Sequence, residues 1–391
     1  MRNTIMVIDV GTSKIVATVA QSGVGARTDI LGMGSVRYDG YSGLNWNNPA
    51  ELYAKMGEVI RRAEEQARVR ANKIYLGVPA TFTQVYATRE SVQIQGVSPR
   101  VTMKEINALF DKAERSIQHK EGLPINRDVA WFSVDQGKHT FDPLNVPGSE
   151  ISAMVAFAKA DQVFIDEIGK LLEQNGRRLS GVYSTPVGQC MLYIPQDERD
   201  KVSALIDIGY LCTDVMIVEG DAVVSMKTVP IGGGHMAADL AYGLEIPLEA
   251  AETLKRSYRF DAKDTQAAFE VIIDNQRVVT FQREKVEEVL LPRIDELCEE
   301  IDKALSDGIV RLSRWSVMYM TGGGLAINDG SFQYVSGQLG RPLRPLQPKS
   351  QKMNSPIYTS SLGLVNLVAD SQQDGETQGV IASFFRRLFG G

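Results

Sequence analysis

One short pattern occurs twice in this sequence, once in each half, and it constrains the fold more than any other feature. Ile8-Asp9-Val10-Gly11 ends an apolar stretch that begins at Ile5, and Ile206-Asp207-Ile208-Gly209 ends one that begins at Ala204. Each copy predicts a strand, a tight turn and a second strand, because β-branched runs flank a glycine-containing polar turn. Two copies predict two similar domains that face each other across a cleft. Chance similarity between two ordinary hairpins is the alternative.

The composition excludes several classes of function. The 391 residues carry a formal net charge of −6, which disfavours the clustered basic surface of a nucleic-acid-binding protein. Cys190, Cys212 and Cys298 lie far apart, so neither a disulfide framework nor a zinc site is expected. No apolar run of about 20 residues is present to span a bilayer. We expect a protein that is made and kept in the cytosol.

The stretches between the repeated motifs predict further elements. Thr102 and Glu105 form a capping box at the start of a helix that ends near Gln118. Pro292 predicts a break or kink in a later helix. The other predicted elements are strands at Val129–Val134, Ser152–Lys159 and Val317–Met320, and helices at Pro247–Tyr258 and Phe281–Leu312.

The first of the repeated turns has the composition of a phosphate-binding loop. At Gly11, Thr12 and Ser13 small residues let backbone N–H groups approach a phosphate, and Lys14 can offset its charge. Asp9, with Asp207 as its counterpart in the second copy, can orient a hydrated Mg²⁺, which prefers oxygen ligands and keeps its waters. A hairpin with a solvated polar turn explains the same residues equally well.

Two glycine-rich loops and one helical pair extend this pattern. Thr321-Gly322-Gly323-Gly324 follows an apolar strand, and Ile231-Gly232-Gly233-Gly234 precedes a helix whose start can face an anion. Glu252 and Lys255 share one helix face and can meet a ribose or a base together. Flexible loops and a solvated ion pair are the alternatives.

The order of these motifs resembles that of the actin, Hsp70 and sugar-kinase superfamily, whose two duplicated domains close around ATP. Within it, the chain is similar to the FtsA family of bacterial cell-division actin homologues. The residues that carry the resemblance are Ile8 to Ile15, Val134-Asp135, Gly137, Asp142-Pro143, Gly148, Pro230 to Gly233, Ala251-Glu252, Lys255, Thr321 to Gly324 and Gly340 to Arg344.

The resemblance implies an α/β fold, namely the actin-like duplicated two-domain ATPase fold with a family-specific inserted subdomain. The implied divisions are 1–81, 161–195 and 340–369 for the first domain, 82–160 for the insert, 196–339 for the second domain with a helical subdomain at about 234–312, 370–379 for a flexible linker, and 380–391 for an amphipathic helix.

The resemblance also implies an ATP site with Mg²⁺. Its implied nucleotide-binding residues are Gly11, Thr12, Ser13, Lys14, Gly209, Thr213, Gly232, Gly233, Glu252, Lys255, Gly322, Gly323 and Gly324, and Asp9 and Asp207 are the implied Mg²⁺ residues, acting through water. One departure concerns the second loop, where Tyr210 and Leu211 stand at positions that the family keeps open for phosphate. We therefore expect at most a weak ATPase and assign no catalytic residue.

The implied function is a tether in bacterial cell division. Such a protein self-associates like actin, binds the C-terminal peptide of the tubulin homologue FtsZ on its helical subdomain, meets other divisome proteins, and lies on the inner face of the membrane at the division site. A small-molecule kinase of the same superfamily and a pilus-assembly actin-like scaffold are the alternatives, and neither has an evident use for the C-terminal segment.

That segment has the pattern of an interfacial helix. The apolar residues follow the i, i+4 rule and make one helical face, with two arginines beside it. We predict binding to anionic lipid through Val380, Ile381, Phe384, Phe385, Arg386, Arg387, Leu388 and Phe389. A helix that docks on the protein's own body or on a partner is the alternative. One tail predicts weak, reversible binding, and several tails on one polymer predict firm binding.

Charged residues at Phe385 and Phe389 should abolish co-sedimentation with anionic liposomes and leave the globular body folded, because they remove the apolar face. Replacement of Arg386 and Arg387 by Ser should weaken binding chiefly at low salt, where screening is least. Sedimentation with and without liposomes, with circular dichroism as the folding control, measures both effects. A double-Phe variant that still pellets with lipid would contradict the prediction.

Overall fold

A computed structural model describes residues 4–22, 28–262, 265–273, 277–310, 312–313, 315–347 and 349–373. Its strands are β1 (Thr4–Val10), β2 (Lys14–Ser22), β3 (Thr28–Arg37), β4 (Tyr41–Ser42), β5 (Asn45–Trp46), β6 (Lys73–Val78), β7 (Thr83–Gln93), β8 (Leu123–Val134), β9 (Glu150–Ala160), β10 (Leu179–Ser184), β11 (Ser203–Ile208), β12 (Thr213–Glu219), β13 (Ala222–Val229), β14 (Ala268–Ile273), β15 (Arg277–Gln282), β16 (Met318–Thr321) and β17 (Leu343–Pro345). Its helices are α1 (Pro49–Ala67), α2 (Met103–Ser116), α3 (Gln162–Gln174), α4 (Thr185–Tyr193), α5 (Gln196–Arg199), α6 (Gly233–Leu244), α7 (Leu248–Ser257), α8 (Arg283–Ser306), α9 (Ser331–Leu339) and α10 (Thr359–Gln373).

The two large sheets have the same topology. In the first, β1, β2 and β3 form an antiparallel meander, and β6 and β10 continue in parallel from the other side of β1. In the second, β11, β12 and β13 form the meander, and β16 and β17 continue in parallel. Asp9 and Asp207 therefore occupy equivalent positions, near the ends of β1 and β11. The predicted duplication is confirmed.

The central strands are buried because helices cover both faces of each sheet. Every residue of β1 after Thr4 is buried, which explains its continuous apolar sequence. In the second sheet, Ile206 packs in a core with α6 to α9, and Leu205 on the other face packs against α4. The helix α4 also contacts α10, which lies against the first sheet. The pair α4 and α10 thus occupies the space between the two sheets.

The insert is a separate layer that contacts the second domain. Its sheet has the order β7-β9-β8, and α2 packs on one face. The predicted capping box is confirmed, since the Thr102 amide donates to Glu105 Oε2 at 3.0 Å and the Lys104 amide donates to Thr102 Oγ1. The other face, with Trp131, packs against Ile217 of the second sheet. The insert therefore couples the two domains outside the cleft.

Three sequence predictions were wrong in their boundaries. The helix predicted at Phe281–Leu312 spans Arg283–Ser306 and continues through Pro292. Its buried apolar side outweighs the cost of a proline, about 3 kcal/mol. The strand β17 pairs with β16, so the return to the first domain comes after Pro345 and not at 340. The helix α10 contains residues 370–373 of the predicted linker, and residues 374–379 lie outside the described residues.

Gly220→Ala should destabilise the protein by more than about 2 kcal/mol. Gly220 has φ +57°, and a Cβ there would overlap the carbonyl oxygen of Ala130 in the insert. Gly169→Ala is the matched control, because a Cβ in this helical position meets nothing within 4 Å. We expect the control to be neutral or slightly stabilising. Urea denaturation of both variants measures the difference, and equal midpoints would contradict the assigned contact.

Candidate functional site

The two repeated turns face each other across a cleft of about 560 Å³ between the two domains. This volume lies in the range of ordinary small-molecule sites. The predicted residues that line it are Asp9, Gly11, Thr12, Ser13, Lys14, Asp207, Gly209, Glu252, Gly322 and Gly323. Thr213, Gly232, Gly233, Lys255 and Gly324 do not line it, although most of them lie directly behind its wall.

The first turn is closed by its own backbone. The Gly11 amide donates to the Lys14 carbonyl at 2.9 Å, and the Tyr38 hydroxyl donates to the Gly11 carbonyl at 2.7 Å. The Lys14 ammonium donates to the Ile357 carbonyl and lies 5.0 Å from the ring centroid of Tyr358. Burial lowers the pKa of Lys14, while Asp9 and Asp207 act in the opposite direction. The Lys14 ammonium now has the neutral Ile357 carbonyl as its acceptor. A bound phosphate would offer it a full negative charge instead.

Asp9 is held by residues from the far end of the chain. Its Oδ2 accepts hydrogen bonds from Ser360 at 2.8 Å and Ser361 at 2.6 Å. Both serines lie in the first turn of α10, and Asp9 is only 7% exposed. Ser360 and Ser361 were not predicted from the sequence, because nothing in a serine pair reveals a partner some 350 positions away.

The second turn is closed by a backbone hydrogen bond in the same way as the first. The Gly209 amide donates to the Cys212 carbonyl at 2.9 Å, as Gly11 does to Lys14. The Leu211 amide donates across the cleft to Thr12 Oγ1 at 3.2 Å, which joins the two turns directly. Tyr210 lines the cleft and Leu211 does not. Only one of the two bulky residues therefore crowds it.

Asp207 and Asp214 form a pair of neighbouring carboxyl groups on β11 and β12. They lie directly opposite each other in the sheet register, and both line the cleft. Burial, with repulsion from Asp9, raises the pKa of Asp207 to about 6, and burial, with repulsion from Asp207, raises the pKa of Asp214 to about 7. Gln189 donates to Asp207 and Thr228 donates to Asp214, each at 2.8 Å. Asp214 was not predicted from the sequence to be a site residue.

These carboxyl groups fit a hydrated cation better than a directly bound one. A divalent cation near Asp207 and Asp214 would offset the burial and the carboxylate repulsion that raise their pKa values. Among the described residues, however, no three His, Cys, Asp or Glu side chains are close enough to hold a metal ion. The donor set of Asp9, Asp207 and Asp214 therefore suits Mg²⁺ that keeps its waters.

The glycine loop at Gly232 to Gly234 supports the second turn instead of facing the cleft. The Gly233 amide donates to the Gly209 carbonyl at 2.9 Å, and the Gly234 amide donates to the Tyr210 carbonyl at 2.6 Å. A Cβ on Gly233 would lie 2.6 Å from the Cα of Gly324. The predicted anion site at the start of α6 is thus occupied by backbone carbonyls. Gly324 has a similar role, since its amide donates to Ile208 at 2.8 Å.

The two residues predicted on α7, Glu252 and Lys255, have different roles. Glu252 lines the cleft, whereas the Lys255 side chain is only 1% exposed. The Lys255 ammonium contacts Glu252 Oε2 at 2.7 Å and donates to the Gly233 carbonyl at 2.8 Å, so it fixes the wall of the cleft. Arg256, which the sequence analysis missed, lines the cleft and contacts Glu252 Oε1 at 2.6 Å. The cation nearest the cleft on α7 is therefore Arg256.

The predicted membrane-binding residues Val380, Ile381, Phe384, Phe385, Arg386, Arg387, Leu388 and Phe389 lie outside the described residues. None of the helices within the described ranges combines the length and apolar character needed to cross a membrane.

Comparison of the sequence with known proteins gives one consistent family. The family model described as cell division protein FtsA matches residues 204–363. The cell division protein FtsA of Bacillus subtilis is 21% identical over 363 residues, which are 92% of this chain and 82% of that protein. The FtsA of Pseudomonas aeruginosa is 22% identical over 391 residues, covering 97% of this chain and 92% of that protein.

Solved structures establish the fold. A PilM–PilN type IV pilus biogenesis complex has a chain with TM-score 0.61 and 18% identity, covering 94% of this chain and 98% of that one. MreB5 of Spiroplasma citri, bound to ADP, has TM-score 0.56 and 12% identity, covering 95% of this chain and 99% of that one. The fold is the actin-like α/β fold that the sequence predicts.

Asp214→Asn should stabilise the protein at pH 8 by on the order of 2 kcal/mol in the absence of divalent cations. The pKa of Asp214 rises from 3.8 to about 7 on folding, because burial disfavours the charged carboxylate. The protonated carboxyl group therefore contributes to the free energy of unfolding below pH 4, and this contribution is lost as the pH rises through 7. The Asn keeps the acceptor for Thr228 and carries no charge.

Thermal unfolding in EDTA at pH 5 and pH 8 measures this difference, with Asp29→Asn, an exposed carboxyl group outside the cleft, as the control. The same pH dependence in wild type and Asp214→Asn would contradict the assigned burial.

Proposed function

We propose that this chain, which has the duplicated actin-like fold, is an FtsA-like protein that binds ATP with Mg²⁺ and tethers FtsZ polymers to the membrane in bacterial cell division. The convergence of the two Asp–Gly turns on one cleft carries the nucleotide part of the proposal. The sequence relatives named cell division protein FtsA support the cellular role.

Nucleotide binding is supported by the distribution of donors and charges. Backbone at Gly11 and Gly209 is open to close approach, and Gly322 and Gly323 also line the cleft. Lys14 lies where it can contact phosphate, and Glu252 lies where it can accept hydrogen bonds from ribose hydroxyls. The MreB5 structure of similar fold was obtained with ADP.

Mg²⁺, when bound, would neutralise phosphate charge. Asp9, Asp207 and Asp214 would hold its waters, and Gln189 and Ser360 would keep two of these carboxylates in place. Gln189 also contacts Thr359 Oγ1 at 2.8 Å, so its amide nitrogen is engaged with protein groups and not with a water. We therefore propose ATP binding with slow or undetectable turnover.

The cellular part of the proposal adds partners and location. The chain self-associates like actin, and the subdomain that contains α8, β14 and β15 holds the C-terminal peptide of FtsZ. The basic, amphipathic segment after residue 379 holds the protein on anionic lipid at the inner face of the membrane. Other divisome proteins join it at the division site.

The alternatives have less support. A pilus-assembly scaffold is favoured only by the likeness to a PilM–PilN chain, which at 18% identity shows the fold alone. A small-molecule kinase needs a free catalytic base near its substrate. Three of the carboxyl groups that line the cleft are already engaged, since Asp9 accepts two serine hydroxyls and Asp207 and Asp214 each accept one hydrogen bond.

Isothermal titration of the full-length protein with ATP and Mg²⁺ should show one site per chain. Lys14→Met should weaken binding about tenfold or more, because it removes the cation nearest the phosphate turn. Lys170→Met, an exposed lysine on α3 outside the cleft, is the control. Phosphate release should remain far below about 1 per second, the low end of ordinary enzymes. Absence of nucleotide binding at millimolar ATP, or rapid turnover, would contradict the proposal.

A further inference from the structure

Two cations of the cleft lie directly opposite each other in the first sheet. The register of β2 and β3 pairs Lys14 with Arg37, so both side chains leave the same face of the sheet. Both residues line the cleft. Like charges in directly opposite positions destabilise a strand pair. A multivalent anion bound here would be attracted to both Lys14 and Arg37 and would offset the repulsion between them.

Arg37 has no counter-charge of its own within the described part of the chain. Its side chain is exposed, and among the described residues none forms a hydrogen bond or an ion pair with it. Asp39, the nearest acid along the chain, also lines the cleft but makes no ion pair with Arg37. Arg37 is thus a guanidinium at the rim of the cleft that is free to bind a ligand.

Arg256 approaches the same region from the second domain. Burial lowers the pKa of Lys14, and Asp9 and Asp207 raise it. The positive charges of Arg256 and Arg37 have smaller effects, and both lower this pKa. Burial and Glu252 raise the pKa of Tyr210, which lines the cleft between the domains, and both arginines act to lower it. Three cations, from β2, β3 and α7, therefore converge on one part of the cleft, and only Arg256 is paired with a carboxylate, Glu252.

We propose that Arg37 binds the polyphosphate of the nucleotide together with Lys14, while Arg256 faces it from the other domain. The inference rests on the proposed nucleotide function and adds a residue to it. A guanidinium suits this position because its fork contacts two phosphate oxygens at once. Through Arg37, the first domain would contact the ligand from β3 as well as from the loop that follows β1.

The test compares Arg37→Ala, Arg37→Lys and Arg70→Ala in the full-length protein. Arg70 is an exposed arginine between α1 and β6 that lies outside the cleft, so its variant has the same net charge as Arg37→Ala. Titration with ATP, ADP and AMP in Mg²⁺ buffer measures affinity. We expect Arg37→Ala to weaken ATP binding about tenfold, AMP binding less than about threefold, and Arg70→Ala to change neither. Arg37→Lys should lie between wild type and Arg37→Ala.

Thermal unfolding supplies a second readout. Without nucleotide, Arg37→Ala should melt at or above the wild-type temperature, because the repulsion with Lys14 is removed. With Mg²⁺ and ATP, its gain in melting temperature should be smaller than that of wild type. If wild type and Arg37→Ala bind ATP with equal affinity, this inference alone is overturned. An equal loss of affinity for ATP and for AMP in Arg37→Ala would also overturn it. Wild type that binds no adenine nucleotide would overturn both proposals.

Discussion

Burial of carboxyl groups at the ends of the two central strands is the constraint on which the cleft depends. Strands β1 and β11 are covered on both faces, so the acids near their ends, Asp9 and Asp207, lose much of their hydration. A carboxylate in that position is costly unless hydrogen bonds or a cation offset the loss of water. Asp9 is compensated by Ser360 and Ser361 and Asp207 by Gln189. The compensating groups come from α10 and α4, so the packing of these two helices between the sheets sets the geometry of the cleft.

The glycines of the two glycine-rich loops pack closely against the rest of the protein. Gly322 and Gly323 line the cleft, and a Cβ on these residues would lie 2.2 Å from the Ile208 carbonyl oxygen and 2.9 Å from Ile357 Cγ2, respectively. Gly233 and Gly324 lie against each other and against the second turn, where a Cβ would meet backbone atoms at less than 3 Å. Their amides are donors to Gly209 and Ile208 and not to a ligand. The loops therefore line the cleft and hold the turn that forms its wall.

The charges in the cleft are arranged by burial. The acids Asp207 and Asp214 stand on neighbouring strands in the wall of the cleft, where desolvation and repulsion from a neighbouring carboxylate favour their neutral forms. The more exposed cations stand at its rim, on β3 and α7. A triphosphate with a hydrated cation has the complementary distribution, because its metal would lie over the acids and its free oxygens near the cations. The cleft is thus better matched to a metal-bound polyphosphate than to an uncharged ligand.

The sequence by itself determined the duplicated fold and most of the floor of the cleft. The repeat of Asp9-Val10-Gly11 as Asp207-Ile208-Gly209 is a local pattern, since alternation of apolar runs and glycine turns is written in neighbouring residues. The roles of Lys255 and Arg256 were decided only by tertiary structure. Both lie on one helix, and the contact with Gly233, 22 positions earlier, buries the first and leaves the second beside the cleft. The same holds for Ser360 and Arg37: a hydrogen bond across the whole chain and a strand register depend on packing, which no local pattern encodes.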